Sequence, residues 1–266
     1  MSASQFARSL RDQVWTLLWF ALGIALYTLL IAAFWPTAKA NADLFSSYVS
    51  QFPDAFIKAF GIADITHFEG FIGAELLNFM WPLIVLVFVI MSASSFVAGE
   101  IDRGTIEWWL SVPVARWRLL AAKQIALLAG IVVLAAVTVA LIGIAARLAN
   151  ESIGIGGLVG TAVVLAAFCA AVGGYTSLFS ALFSSRGSAA GLAAGVTLAS
   201  YLAGVLSGIS KDVEWLKYVA LTSVYHPQQA LLAGGADARE VTILLALAAV
   251  CGVFALVAFE RRDANP

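Results

Sequence analysis

Long apolar runs alternate with polar breaks along the whole chain. Six runs are long enough to cross a bilayer as helices: about 14–35, 79–98, 125–146, 158–183, 189–209 and 241–259. Most carry no polar face, so they are expected to lie among lipid and one another, not on the surface of a soluble core. Ahead of the first run, Phe6, Leu10 and Val14 recur at i, i+4, i+8 with Arg8 and Arg11 turned away, which predicts an amphipathic N-terminal helix.

Two breaks are long. Between Pro36 and Asn78, the positions Leu44, Phe45, Tyr48, Val49 and Phe52, then Phe56 and Phe60 after Pro53, predict amphipathic helices lying on the membrane. Between Ser210 and Arg239, Trp215, Leu216, Val219 and Ala220 repeat the pattern before His226-Pro227 begins a turn.

The short break from Ala98 to Lys123 is the most densely charged, with Glu100, Asp102, Arg103, Glu107, Arg116, Arg118 and Lys123. Gly104 permits a sharp turn, Thr105 can cap a helix, and Glu107 suits the positive end of its dipole. Ile106, Trp109 and Leu110 then share a face, and Pro113 ends that helix and begins the next. From the residues alone, this short flat helix reads as a tethered surface element, or more plainly as an interfacial loop with Trp108 and Trp109 among headgroups.

Composition narrows the class. With 62% hydrophobic and 12% charged residues among 266, and a mean hydropathy of +0.94, the chain reads as a single transmembrane domain over 1–266. A net charge of −1, with basic residues scattered at span ends, gives no nucleic-acid surface. Cys169 and Cys251 lie inside apolar runs and read as small hydrophobes. Ala38-Lys39-Ala40 resembles a signal-peptidase site, but the run before it exceeds a usual signal core, so an uncleaved span is expected.

Basic residues also set an orientation. Arg8, Arg11, Arg103, Arg116, Arg118, Lys123, Arg186, Arg261 and Arg262 fall on one face, against Lys39, Lys58, Arg147, Lys211, Lys217 and Arg239 on the other. The first face is expected to be cytoplasmic, with both termini.

Small and polar residues inside the runs leave alternatives open. Gly191, Gly195, Ala199 and Ala203 repeat at four-residue spacing, as do Gly204 and Gly208, suiting either internal packing or a subunit interface. Ser92, Ser94 and Ser95 suit helix contact or a wet pathway, and Gly173-Gly174 suits a kink or a close neighbour.

Catalytic chemistry finds no foothold. His67 and His226 fall in loops, Glu75 just outside the second span, and no metalloprotease, nucleophile-elbow or metal-ligand spacing occurs. The runs lack the acidic groups that an ion-driven transporter needs, and no phosphate-binding loop is present to hold ATP. The chain is therefore not expected to be an enzyme or to bind metal or cofactor.

The string Glu100-x-x-x-Gly104-Thr105, then Leu110-Ser111-x-Pro113-Val114-x-Arg116, then Lys123, resembles the loop between the second and third spans of ABC-2 family transporter permeases. Gln51-Phe52-Pro53, Phe60-Gly61 and Glu69-Gly70-Phe71 resemble the family's first outer loop, and Trp215 to Gly235 the segment before its last span. The chain departs at Trp108, Trp109, Ala115 and at His226-Pro227, where the family more often has aliphatics, Ser and Ser-Pro.

The resemblance implies an all-α, six-span permease of the cell membrane whose loop is a coupling helix. Glu100, Arg103, Gly104, Thr105, Glu107, Trp108, Trp109, Leu110, Ser111, Pro113 and Arg116 would then dock a separate ABC ATPase, in two copies, that holds ATP and Mg. Glu100 is expected to organise the loop through Arg103 or Arg116. Ser92, Ser95, Gly191, Gly195, Gly204 and Gly208 would line the pathway or the interface with a second permease subunit, in contact with membrane lipids. Export is the expected activity. A non-transporting scaffold, immunity or sensory subunit with the same fold is the alternative.

Overall fold

In the computed structural model, residues 3–42, 47, 51, 67–106, 114–209 and 211–262 are described, without the side chains of residues 3–13 and 211. Six helices among them are long and apolar enough to cross a membrane, and none of the described residues forms a strand. The chain is an all-helical, six-span membrane protein.

Helix α1 (Ala3–Ala40) runs without a break from the predicted amphipathic segment into the first span, and Ala38-Lys39-Ala40 lie within it. The second span comprises α2 (Phe68–Ile72), a π-helical stretch (Gly73–Met80) and α3 (Trp81–Ser94). A single turn, α4 (Ala98–Asp102), follows. The remaining spans are α5 (Arg116–Leu148), α6 (Ile155–Leu182), α7 (Arg186–Ile209) and α9 (Ala238–Arg261), with the short α8 (Pro227–Ala233) before the last.

These helices extend past the apolar runs because a bilayer fixes only the apolar part of a helix, while its ends continue for as long as the backbone can be satisfied. The second span is the largest departure. It starts at Phe68, so Glu75, expected just outside it, lies within the helical segment and is exposed.

Helix α6 is the most buried span and touches α3, α5, α7, α8 and α9. Its glycines make this possible. A Cβ at Gly160 would stand 2.6 Å from the backbone of Gly235 and Ala236, one at Gly157 2.4 Å from the Leu231 carbonyl, and one at Gly174 2.8 Å from the Ala248 carbonyl. Gly173-Gly174 therefore serves close approach of neighbouring helices, one of its two expected roles.

Several polar groups inside the bundle pair across helices. The buried Trp81 indole donates to Thr138 Oγ1 at 2.8 Å, joining α3 to α5. At one end, Trp35 packs its ring against Phe68 and Phe71, and its indole and Lys39 both donate to Glu151. At that same end Gln228 at the start of α8 accepts from Asn78 at 2.8 Å and donates to the Gly70 carbonyl at 3.1 Å, while Tyr225 donates to the Leu77 carbonyl at 2.8 Å. Gly73 leaves room for Gln228, whose Cγ would be 2.3 Å from any Cβ there.

The glycines of α6 and α7 thus predict opposite tolerances. Gly160→Ala is expected to cost about 1–3 kcal/mol through overpacking, whereas Gly195→Ala, with nothing within 4 Å of its Cβ, is expected to stay within about 0.5 kcal/mol. Reversible unfolding in mixed micelles measures both.

Candidate functional site

The break after α3 is built around a serine from another helix. The backbone amides of Val97 and Ala98 both donate to the buried Ser180 Oγ of α6, at 3.0 and 3.1 Å, and that hydroxyl donates to the Ser94 carbonyl at 2.9 Å. Ser180 thus supplies the bonds that the interrupted helix loses. One turn later α4 ends on Gly104, at φ +66°, with Gly104 N donating to the Ile101 carbonyl and Thr105 N to the Glu100 carbonyl, both at 2.9 Å. This is a Schellman ending, which explains the glycine.

Glu100 sits at the centre. Its side chain is only 12% exposed, and Oε1 accepts from Arg103 at 2.8 Å and Lys123 at 2.9 Å. The Thr105 hydroxyl donates to Oε2, so Thr105 turns back onto the carboxylate instead of capping the next helix. Lys123, on α5, also donates to the Phe96 carbonyl at 3.2 Å. Burial pushes the Glu100 carboxyl up, but the Lys123 charge, the bonds from Thr105 and Lys123, and the Arg103 charge outweigh it and hold the group below its usual 4.5.

Arg116 is not a partner of Glu100, contrary to one of the two expectations. It starts α5 beside the end of α9 and donates to the Arg262 carbonyl at 2.5 Å. Arg262 in turn closes the end of α6, donating to the Ala181 and Phe183 carbonyls at 2.8 and 3.0 Å and to Ser184 Oγ at 2.7 Å. Glu260 accepts from the Trp117 amide at 2.9 Å, which satisfies an orphan donor at the start of α5.

The near end of the segment is stapled as well. Asp102 accepts from the Arg186 amide at 2.6 Å, and the Arg186 guanidinium reaches the Met91 carbonyl of α3 at 3.1 Å. The chain before the stretch from Arg103 to Ala115 is fixed at Asp102 of α4, bonded to α7, and the chain after it at Arg116 and Trp117 of α5, bonded to the end of α9. Ile106 packs against the core. Glu107, Trp108, Trp109, Leu110, Ser111 and Pro113 lie outside the described residues.

The expected pathway residues divide. Ser92 and Ser95 are half-buried, and the Ser95 hydroxyl donates to the Ser92 carbonyl at 2.7 Å. Gly191 and Gly195 face open space, whereas a Cβ at Gly204 would strike Thr222 Oγ1. Gly208 lines a cavity with Tyr201 and His226. No group of described residues has the His, Cys, Asp and Glu clustering that would hold a metal.

Sequence reasoning missed Ser180, Arg186, Glu260 and Arg262 as members of this site. For Arg186, Glu260 and Arg262 the available signal was position: each sits at or near the end of a span on the face that carries Glu100.

A depressed carboxyl stabilises the fold above its unfolded value, and that contribution is lost as pH falls through the lower folded value. Amide exchange at Gly104 and Thr105 is accordingly expected to remain protected down to pH 4.5 and to open below it. In Glu100→Gln, protection should be weaker and should not titrate in that window.

No curated protein matches the chain. The family model described as "ABC-2 family transporter protein" matches residues 3–264, nearly the whole sequence. The chain belongs to the ABC-2 transporter family, as a multi-pass membrane component of an ABC transporter.

Proposed function

We propose that the chain is the permease subunit of an ATP-driven exporter and docks a separate ATPase through the segment 99–116. The observation that carries this reading is the double clamp. A segment fixed at Asp102–Arg186 and at Arg116–Arg262 transmits force to α3, α7, α5 and α9, where a loose loop would absorb it. Closure of two ATPase subunits around ATP and Mg pushes the segment between the clamps. Glu100, held by Lys123, Arg103 and Thr105, keeps the segment rigid under that push.

The face with Glu100, Arg186 and Arg262 is cytoplasmic and carries both termini, and the membrane is the plasma membrane. A second permease subunit pairs along α7, the least buried span, whose Gly191 and Gly195 present open backbone. Relative motion of the two α7 helices then opens the route.

Two measurements test the reading. Gentle-detergent capture of the tagged chain is expected to recover a P-loop ATPase, and Glu100→Ala with Thr105→Ala to lower that recovery by at least about tenfold, while Lys217→Ala at the opposite face leaves it unchanged. An ATPase recovered without ATP-driven movement of any substrate in sealed vesicles would favour the scaffold alternative. For orientation, with Cys169 and Cys251 replaced by Ala, a membrane-impermeant maleimide is expected to modify Tyr218→Cys in intact cells and Ser185→Cys only after permeabilisation.

A further inference from the structure

A groove of about 340 Å³ runs between α5, α6 and α9. Leu128 of α5 and Leu245 and Val253 of α9 line it and are exposed, so it opens sideways to lipid. Gln124 is the hydrogen-bonding side chain on its wall, and Nε2 donates to Ser177 Oγ of α6 at 2.9 Å and to the Gly252 carbonyl of α9 at 3.2 Å. These bonds tie the three helices together and leave the rest of the wall apolar. A Cβ at Gly252 would meet only the Gln124 amide, 3.9 Å away, so the missing side chain keeps the groove open.

One end of the groove is charged. By helical spacing Trp117 shares a face of α5 with Gln124 and Leu128, and Glu260 shares a face of α9 with Val253 and Leu256. The bond from the Trp117 amide to Glu260 joins those two faces. Around it stand Arg116, Arg118, Arg261 and Arg262, and Glu260 is the carboxylate among the described residues of these two helix ends. None of the four arginines is ion-paired among the described residues. Arg116 and Arg262 donate to neutral oxygens, Arg118 stacks on the Trp117 ring at 5.3 Å, and Arg118 and Arg261 are both exposed.

The depth suits a lipid chain. Leu256 stands about 8 Å along α9 from Arg261 and Leu245 about 24 Å, so the groove covers about the 15 Å of one leaflet of a hydrocarbon core. We infer that this groove binds an anionic phospholipid of the leaflet on the Glu100 face, with its phosphate between Arg118 and Arg261 and one acyl chain between α5 and α9. Guanidinium forks match phosphate oxygens, and a zwitterionic head would bring its own cation to a surface that already carries an excess of them. The inference rests on the chain being a membrane protein and stands whether or not it docks an ATPase.

The test uses the full chain in phosphatidylcholine nanodiscs without ATPase, and as probe a minor fraction of phosphatidylglycerol bearing a diazirine on one acyl chain. Labelling is expected to saturate on residues 124–131 and 245–256, and to be competed by unlabelled phosphatidylglycerol and not by added phosphatidylcholine. Arg118→Gln with Arg261→Gln should weaken the apparent affinity roughly tenfold to thirtyfold. Arg147→Gln with Arg239→Gln, at the other ends of the same two helices, should leave it unchanged. Gly252→Leu should abolish labelling of the groove without lowering the unfolding midpoint, while Gly23→Leu on α1, another position with an open Cβ, leaves it.

Labelling that rises linearly with probe and falls equally on α1 would mean ordinary surrounding lipid and would overturn the site. Equal competition by phosphatidylcholine, or an unaltered affinity in the Arg118, Arg261 double variant, would overturn the assignment of the head. Full competition by water-soluble glycerol phosphate would make the arginines a site for free phosphate esters and would overturn the lipid. Failure to recover an ATPase changes none of these readouts, so the two proposals fail separately.

Discussion

A helix that ends at a membrane face leaves backbone donors and acceptors without partners, and here the partners come from other helices. Ser180 of α6 closes the break after α3, Asp102 of α4 caps α7, Glu260 of α9 caps α5, and Arg262 closes α6. Every one of these bonds satisfies an orphan backbone group, and every one also joins two elements. Rigidity of the Glu100 face is therefore a consequence of backbone accounting, and the ion pairs of Glu100 with Lys123 and Arg103 are built upon it.

The opposite face solves the same problem differently. There the connection before α9 is drawn over the second span by side-chain amides and a phenol: Gln228 to Asn78 and Gly70, and Tyr225 to Leu77. The Leu77 carbonyl belongs to the π-helical stretch, where wider turns free backbone oxygens for such bonds. Charged side chains close the Glu100 face, while at the other face neutral amides and a phenol hold the connection beside the Lys39–Glu151 ion pair.

The six spans were legible in the sequence because apolar length is a local property, and Gly104 was legible because a left-handed backbone position has few occupants. The Glu100–Arg103 pair was legible for the same reason, being three residues apart. Lys123 was visible in the family pattern, but its bond to Glu100 was not, since it depends on α5 packing beside α4. Arg116 was assigned to Glu100 by nearness in the chain and goes instead to α9, which only the topology brings beside it. Ser180 carried no signal at all, because a serine inside an apolar run looks the same whether it bonds its own helix or repairs another.

The central claim is that the Glu100 segment and α7 form one mechanical body. Pulsed electron spin resonance between labels at Arg103 and Ser188, on either side of the Asp102–Arg186 staple, tests it in the complex with its ATPase in nanodiscs. A second pair, across the two copies of Ser188, reports movement of the subunits. Addition of ATP with a transition-state analogue is predicted to leave the Arg103–Ser188 distance unchanged while the distance between subunits shifts. A changing Arg103–Ser188 distance with static subunits would mean that the segment flexes without driving α7, and would contradict the account.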